Sequence, residues 1–330
     1  MENKQFEKLN ELISTANSNI AQIAILQHGE TIYTYEWNGF KKDDCLHVMS
    51  VTKSIIALLI GIAIDKGYLN SIDTPVISFF PDYKVKRGEK TIYNVTLRHL
   101  LTMTAPYKYK SEPWTKVCTS MDWTVAALDL LGGKCGITGE FKYSTLGVQI
   151  LCGILEKTSG ISPLLFANKY LFAPLNIAPR KPFTAKNAQE HKEFTISKVP
   201  KGKLWFVDPR GIPTAGYGLC LSSEEMAKIG QLCLNKGVYN GKKIVSEKWI
   251  EQITMPSSVK MDAYGGMQYG MLWWIINSEK NIYAASGTGG NVIYVNPEFD
   301  AVVAAIATFK PTVYDRIPFI EKNIIPLLSI

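Results

Sequence analysis

The apolar positions of the chain follow two periods. Ile20 to Gln27 (IAQIAILQ) and Thr31 to Trp37 (TIYTYEW) are short β-rich runs parted by His28-Gly29-Glu30, which predicts an antiparallel hairpin. Near the other end, Leu272 to Asn277, Asn281 to Ala285, Asn291 to Val295 and Ala301 to Thr308 read as three or four more strands. The segments between the later ones, Ser286-Gly287-Thr288-Gly289-Gly290 and Asn296-Pro297-Glu298, are turn chemistry. Asp315 to Leu328 is expected to close the chain as a helix despite Pro318 and Pro326.

The middle has helical spacing instead. Thr96 to Thr102, Thr124 to Leu131, Thr145 to Thr158, Ser222 to Asn235 and Ser246 to Ile253 all place apolar residues three and four apart. Ser222-Ser223-Glu224-Glu225 ahead of Met226 is a capping sequence. At the N-terminus Phe6, Leu9, Leu12 and Ile13 share one helical face. Strands at both ends with helices between predict an α+β fold, with one antiparallel sheet built from both termini and flanked by helices. The expected division is a discontinuous sheet domain, residues 1–66 with 265–330, and an inserted mainly helical domain, residues 67–264.

Composition narrows the class. The chain has 330 residues, 20% of them charged and 46% hydrophobic, without repeats or low-complexity tracts, so disorder and fibrous structure are excluded. The longest apolar run, Ile55 to Ile64, is half the roughly 20 residues that a bilayer-spanning helix needs, so it reads as a buried helix and no membrane is expected. The N-terminus lacks the basic-then-apolar pattern of an export signal, which points to the cytoplasm. Cys45, Cys118, Cys135, Cys152, Cys220 and Cys233 form no Cys-Xaa-Xaa-Cys pair and no zinc spacing, so packed, reduced thiols are expected. A net charge of +7 raises the question of nucleic acid, but the lysines are scattered and no basic helix is present. No nucleic-acid partner is expected, and oligomeric state is not legible.

Several chemistries are missing from the sequence. There is no Gly-Xaa-Ser-Xaa-Gly elbow and no P-loop, and Gly287-Thr288-Gly289-Gly290 lies between strands rather than ahead of a helix, so no cofactor and no metal is implied. What remains is Ser50-Val51-Thr52-Lys53, at the head of the apolar helix that stops at Gly67. Residues three apart share a helix face, so the lysine amine can reach the serine hydroxyl. Burial would lower the amine's pKa, and the helix N-terminus favours a developing alkoxide. A capping serine beside a solvent-facing lysine fits the tetrapeptide equally well. Ser257-Ser258-Val259-Lys260 repeats the pattern in a loop-like stretch and is set aside.

Two further segments supply partners. Tyr143-Ser144-Thr145 lies between a glycine-rich turn and a helix expected from about Leu146, where a tyrosine can enter a cleft as acid or base. Ala285-Ser286-Gly287-Thr288 is small enough for close backbone approach, and as an edge strand it can pair with an acyl chain. There it would add an amide N–H to that of Ser50 for an oxyanion.

The order and intervals of these elements resemble the penicillin-recognising serine hydrolase superfamily, closest to its class C β-lactamase-like and esterase branch. His47 to Lys53, Asp73-Thr74-Pro75-Val76, Leu97 to Thr104, Asp208-Pro209-Arg210-Gly211 through Leu219, and Tyr294 to Glu298 are similar to that branch's successive blocks. The resemblance covers roughly Ile20 to Thr308. It implies a β-lactamase/transpeptidase-like fold with Ser50 as acylated nucleophile, Lys53 as proton acceptor and Tyr143 as acid/base. It further implies that Thr145, Ser286, Gly287 and Thr288 bind substrate.

Two positions depart from the family pattern. Tyr-Xaa-Asn reads Tyr143-Ser144-Thr145, and the Lys-Thr-Gly or His-Thr-Gly strand reads Ala285-Ser286-Gly287. An amide and a cation suited to a β-lactam are thereby lost. The leading expectation is a hydrolase of small esters or amides, with a true β-lactamase or D-alanyl peptidase and a non-catalytic sensor or scaffold as alternatives. Lys157-Thr158-Ser159-Gly160 reads as a helix end and His99 as a packing residue. Trp114 and Trp123 are either cleft walls or loop anchors.

Overall fold

The computed structural model describes residues 6–16, 19–311 and 316–328. Strand β1 (Ile20–Gln27) turns back into β2 (Glu30–Glu36) through His28 and Gly29, both at positive φ, as a two-residue hairpin loop requires. The later strands are β3 (Gln268–Tyr269), β4 (Trp274–Asn277), β5 (Ile282–Gly287), β6 (Asn291–Asn296) and β7 (Ala301–Ala307). They join the hairpin in one antiparallel sheet of order β2-β1-β7-β6-β5-β4-β3. Chain ends thus meet at the β1–β7 ladder, where Ile25 faces Val303 and Ala24 faces Ala304.

Both faces of the sheet are covered, which is why β7 is apolar throughout and β1 everywhere but at Gln22 and Gln27. Ile23, Ile25, Val303 and Ala305 pack with Phe6, Leu9 and Ile13 of the N-terminal helix α1 (Glu7–Ala16) and with Ile320 near the C-terminus. Ala24, Leu26, Val302 and Ala304 face the larger core, which contains α2 (Val51–Asp65). From Val51 to Ala63 every residue of α2 is buried. Gly61 leaves room for Trp249, whose Nε1 donates to the Ala57 carbonyl at 2.9 Å.

The helical predictions hold with shifted ends. Leu97–Leu101 is helical, and Asp73 and Arg98 from two separate sequence blocks meet in a bidentate ion pair at 2.6 and 2.7 Å. Trp123–Leu128 is shorter than expected and starts at the Asp122 cap. The helix expected from Thr145 begins at Gln149, because the amides of Leu146 and Gly147 are held by Glu112 and by the Ser144 hydroxyl. Ser223–Leu234 carries the foreseen capping box and packs on β1, β6 and β7, although it lies within 67–264. At the C-terminus Arg316–Asn323 is helical, Ile325–Leu327 is a separate short turn, and Asp315 lies outside the described residues.

All six cysteines are free; Cys135 is exposed, contrary to the expectation of packed thiols. Among the described residues no single helix is long and apolar enough to cross a membrane, and the apolar pair Gln149–Ser159 and Pro163–Phe172 bends by 78°.

A Cβ at Gly61 would overlap the rigid Trp249 indole. Overpacking costs about 1–3 kcal/mol, against about 1 kcal/mol gained in helix propensity. With the added Cβ overlapping the indole the cost lies at the upper end of that range, so Gly61→Ala is expected to lower unfolding stability by up to about 2 kcal/mol in urea titrations, and a raised midpoint would contradict this packing.

Candidate active site

Ser50 stands at the N-terminus of α2, immediately after Met49, whose φ of 53° places it in the left-handed region. Such a conformation is costly for a side chain with a Cβ, and it makes the sharp turn that presents the Ser50 hydroxyl. The turn is anchored from outside. Leu46 and His47 pair with Leu221 and Cys220, Val48 N donates to Leu219 O at 2.9 Å, and His47 Nε2 accepts the Gly218 N–H at 2.8 Å. Burial pushes His47 down to about 4, so the imidazole is neutral and able to accept.

One turn along α2, Lys53 is 1% exposed. Its Nζ lies 2.9 Å from Ser50 Oγ, 3.2 Å from Thr145 Oγ1 and 2.8 Å from the Gly216 carbonyl. Gly216 is required, because a Cβ there would stand 2.6 Å from the Thr145 carbonyl oxygen. Lys53 has no ion-pair partner among the described residues, and burial pushes its amine down to about 7, opposed by the more distant charge of Glu112. Nζ also sits 4.8 Å from the centre of the Tyr143 ring. Burial holds the Tyr143 phenol up at about 12, while an interaction with the Ser50 hydroxyl pulls it down and Glu112 adds to the rise. Tyr143 is therefore a neutral phenol near pH 7, which removes the phenolate form as a starting state.

The Tyr143-Ser144-Thr145 loop is held by a residue that sequence reading missed. Glu112 Oε1 accepts from Ser144 Oγ at 3.0 Å and Leu146 N at 2.8 Å, and Ser144 Oγ lies 2.6 Å from Tyr109 Oη. Its only signal was being the single acid in a lysine-rich loop, KYKSEPWTK.

The Ala285–Thr288 segment is corrected in one respect. Strand β5 is internal, flanked by β4 and β6, so it is not an edge strand. Pairing with β4 ends at Ala284, however, so Ala285 to Gly287 are open on that side. Ala285 is fully buried and Ser286 half-buried. Gly287 allows β5 to lie against the Ser50 turn: a Cβ there would be 3.1 Å from Ser50 N and would overlap the Val48 carbonyl. The N–H groups of Ser50 and Thr288 are donated to no backbone acceptor among the described residues.

Two cavities meet at Ser50, Thr145 and Thr288, the residues lining both. One, about 860 Å³, has Trp114, Trp123, Phe206 and Tyr217 in its walls. The other, about 790 Å³, includes Tyr143, Ser286, Gly287 and Trp274. Both tryptophans singled out in the sequence are thus wall residues. His99 is structural, its Nδ1 accepting the Thr96 N–H at 3.0 Å, and Lys157-Thr158-Ser159-Gly160 is a helix end, with Gly160 at φ 71°. Among the described residues no group of three His, Cys, Asp or Glu side chains is placed to hold a metal ion.

The large antiparallel sheet that joins strands from both ends of the chain, and a serine–lysine pair at the head of a buried helix, define a β-lactamase/transpeptidase-like fold. The chain belongs to the Beta-lactamase family, whose model matches residues 10–319. It is 24% identical over 307 residues to a 6-aminohexanoate-dimer hydrolase of Paenarthrobacter ureafaciens, covering 86% of this chain and 71% of that protein. Its fold is shared by a family VIII carboxylesterase (TM-score 0.71, 14% identity, 98% of this chain and 97% of that one). A penicillin-binding protein homologue from Caulobacter crescentus is also similar (TM-score 0.68, 17% identity, 93% and 92%).

Burial of Lys53 carries a stability consequence of fixed sign. Unfolded, its amine has the ordinary value of 10.5; folded, about 7. Below pH 7 the amine is charged in both states and the folded state bears the full desolvation cost. Between about 7 and 10.5 the unfolded state alone holds the proton, so stability rises with pH across that window. The displacement amounts to a few kcal/mol, against about 1–3 kcal/mol for the hydrogen bonds lost on substitution. Lys53→Met is expected to be more stable than wild type at pH 6 by about 1 kcal/mol or more, the gain shrinking toward pH 10. A variant less stable than wild type at pH 6 would contradict a lysine buried at a cost.

Proposed function

We propose that the chain is a serine hydrolase that forms and hydrolyses an acyl-Ser50 ester on a small ester or amide. The observation carrying this reading is the buried Lys53 amine with its three oxygen neighbours. As a neutral amine it donates two N–H bonds, to Gly216 O and Thr145 Oγ1, and turns its lone pair toward the Ser50 hydroxyl. As an ammonium it donates to all three, so the proton can pass without moving a heavy atom. A scaffold gains nothing from burying an unpaired lysine at this cost, which weighs against the non-catalytic alternative.

In acylation Ser50 Oγ bonds to the substrate carbonyl carbon and its proton passes to Lys53 Nζ. The carbonyl oxygen takes up the electron pair and receives the Ser50 and Thr288 N–H groups at the positive end of α2. As the tetrahedral centre collapses, the leaving nitrogen or oxygen takes the proton of the Tyr143 phenol, which the Lys53 ammonium then restores. In the second half water occupies the leaving-group position, gives a proton to Lys53 and attacks the acyl carbon, and Ser50 leaves with that proton. Because Tyr143 lines only the smaller cavity, the leaving group departs there and the acyl part occupies the larger, aromatic one.

The amide-hydrolase relative and the carboxylesterase neighbour agree with acyl transfer to water. A true β-lactamase or D-alanyl peptidase draws less support. The Thr145 hydroxyl is engaged with Lys53, and position 285, buried in the core, carries a methyl where a cation would meet a substrate carboxylate. Intact-mass spectrometry with a fluorophosphonate, a penicillin and a panel of 4-nitrophenyl esters is expected to show a phosphonyl adduct and ester turnover in wild type. Neither should occur in Ser50→Ala. Lack of any adduct and any turnover in wild type would sink the proposal.

A further inference from the structure

The larger cavity has an unusual balance of charge. Among the described residues none of the side chains lining it is an aspartate or glutamate, its formal charges are those of Lys186 and Lys192, and both are exposed and neither is ion-paired. Glu190 and Glu193 share a helix with Lys192 but lie outside the cavity. Glu190 binds the Lys186 backbone N–H at 2.6 Å and Glu193 binds Gln189 at 2.7 Å. An ammonium entering this space would leave water without meeting a counter-ion.

Aromatic walls can substitute for a carboxylate when their ring faces are open to a cation. Here the faces are used among themselves. Trp123 stacks on His191 at 5.8 Å and 21° and on Phe206 at 5.9 Å and 26°, and His191 stacks on Tyr217 at 5.8 Å and 4°. Trp114 meets Tyr217 edge to face at 5.8 Å. His191 Nε2 is 2.9 Å from Tyr217 Oη, and burial lowers its pKa, so the pair is neutral near pH 7 and supplies no anion. With these rings engaged among themselves and no carboxylate among the lining residues, the space favours apolar groups or acceptors.

Resting on the acyl-Ser50 reading, we infer that this cavity sorts substrates by charge. It accepts acyl groups ending in an apolar or anionic group and rejects those ending in an ammonium. The test uses three 4-nitrophenyl esters of matched chain length, of heptanoic acid, of heptanedioic acid (mono-ester) and of 6-aminohexanoic acid, on the full chain at pH 7.5 and low salt. The heptanoate and heptanedioate esters are expected to have kcat/KM at least tenfold above the 6-aminohexanoate ester. Equal values, a preference for the 6-aminohexanoate ester, or a heptanedioate value as low as it would overturn the inference while leaving the hydrolase reading in place. Failure of all three esters to acylate Ser50, read by intact mass, would overturn that reading and the inference with it. Lys186→Glu/Lys192→Glu is expected to raise the 6-aminohexanoate to heptanoate ratio at least threefold. An unchanged ratio would overturn the placing of the acyl chain in this cavity.

Discussion

The structure depends on keeping one lysine amine out of water. Lys53 lies inside the domain with hydroxyls and a carbonyl for company and no carboxylate in contact. Desolvation then outweighs the distant pull of Glu112, and the amine is left near the point where it exchanges protons at neutral pH. Each surrounding feature can be read as a condition for this. Gly216 lets a carbonyl reach Nζ, Thr145 brings a hydroxyl, and α2 is buried from Val51 to Ala63 so that the side chain is enclosed.

The supports come from distant parts of the chain. His47 ties the Ser50 turn to the segment that carries Gly216, and Glu112 ties the Tyr143 loop to the long segment after Thr104. Gly287 brings the end of β5 against Ser50. Loops and a turn from distant segments are therefore held around α2 by short polar contacts, and the end of β5 by close backbone approach. Such an arrangement holds reacting groups in register without relying on a large movement on binding.

Much of the fold was legible because strands and helices differ in period. The β runs at the two ends and the apolar helix behind Ser50 stand out in the sequence, and the spacing of Ser50 to Lys53 gives their shared face. What stayed hidden was decided by tertiary contacts. A carbonyl such as that of Gly216 has no sequence signature. Glu112 gives no hint that it will take the amides of another loop, so the helix after Tyr143 was expected four residues too early. Strand order likewise follows from long-range pairing, which is why β5 was read as an edge. The partnership of Tyr217 with His191 joins residues that no local pattern connects.

Inside the folded chain, burial brings the Lys53 amine to lose its proton near neutrality. Carbon-13 NMR titration of the Lys53 Cε resonance, in protein labelled at lysine and assigned with Lys53→Met, observes that ionisation directly. The expected midpoint is about 7, far below the bulk of the lysines. A midpoint near the ordinary value of 10.5 would contradict it.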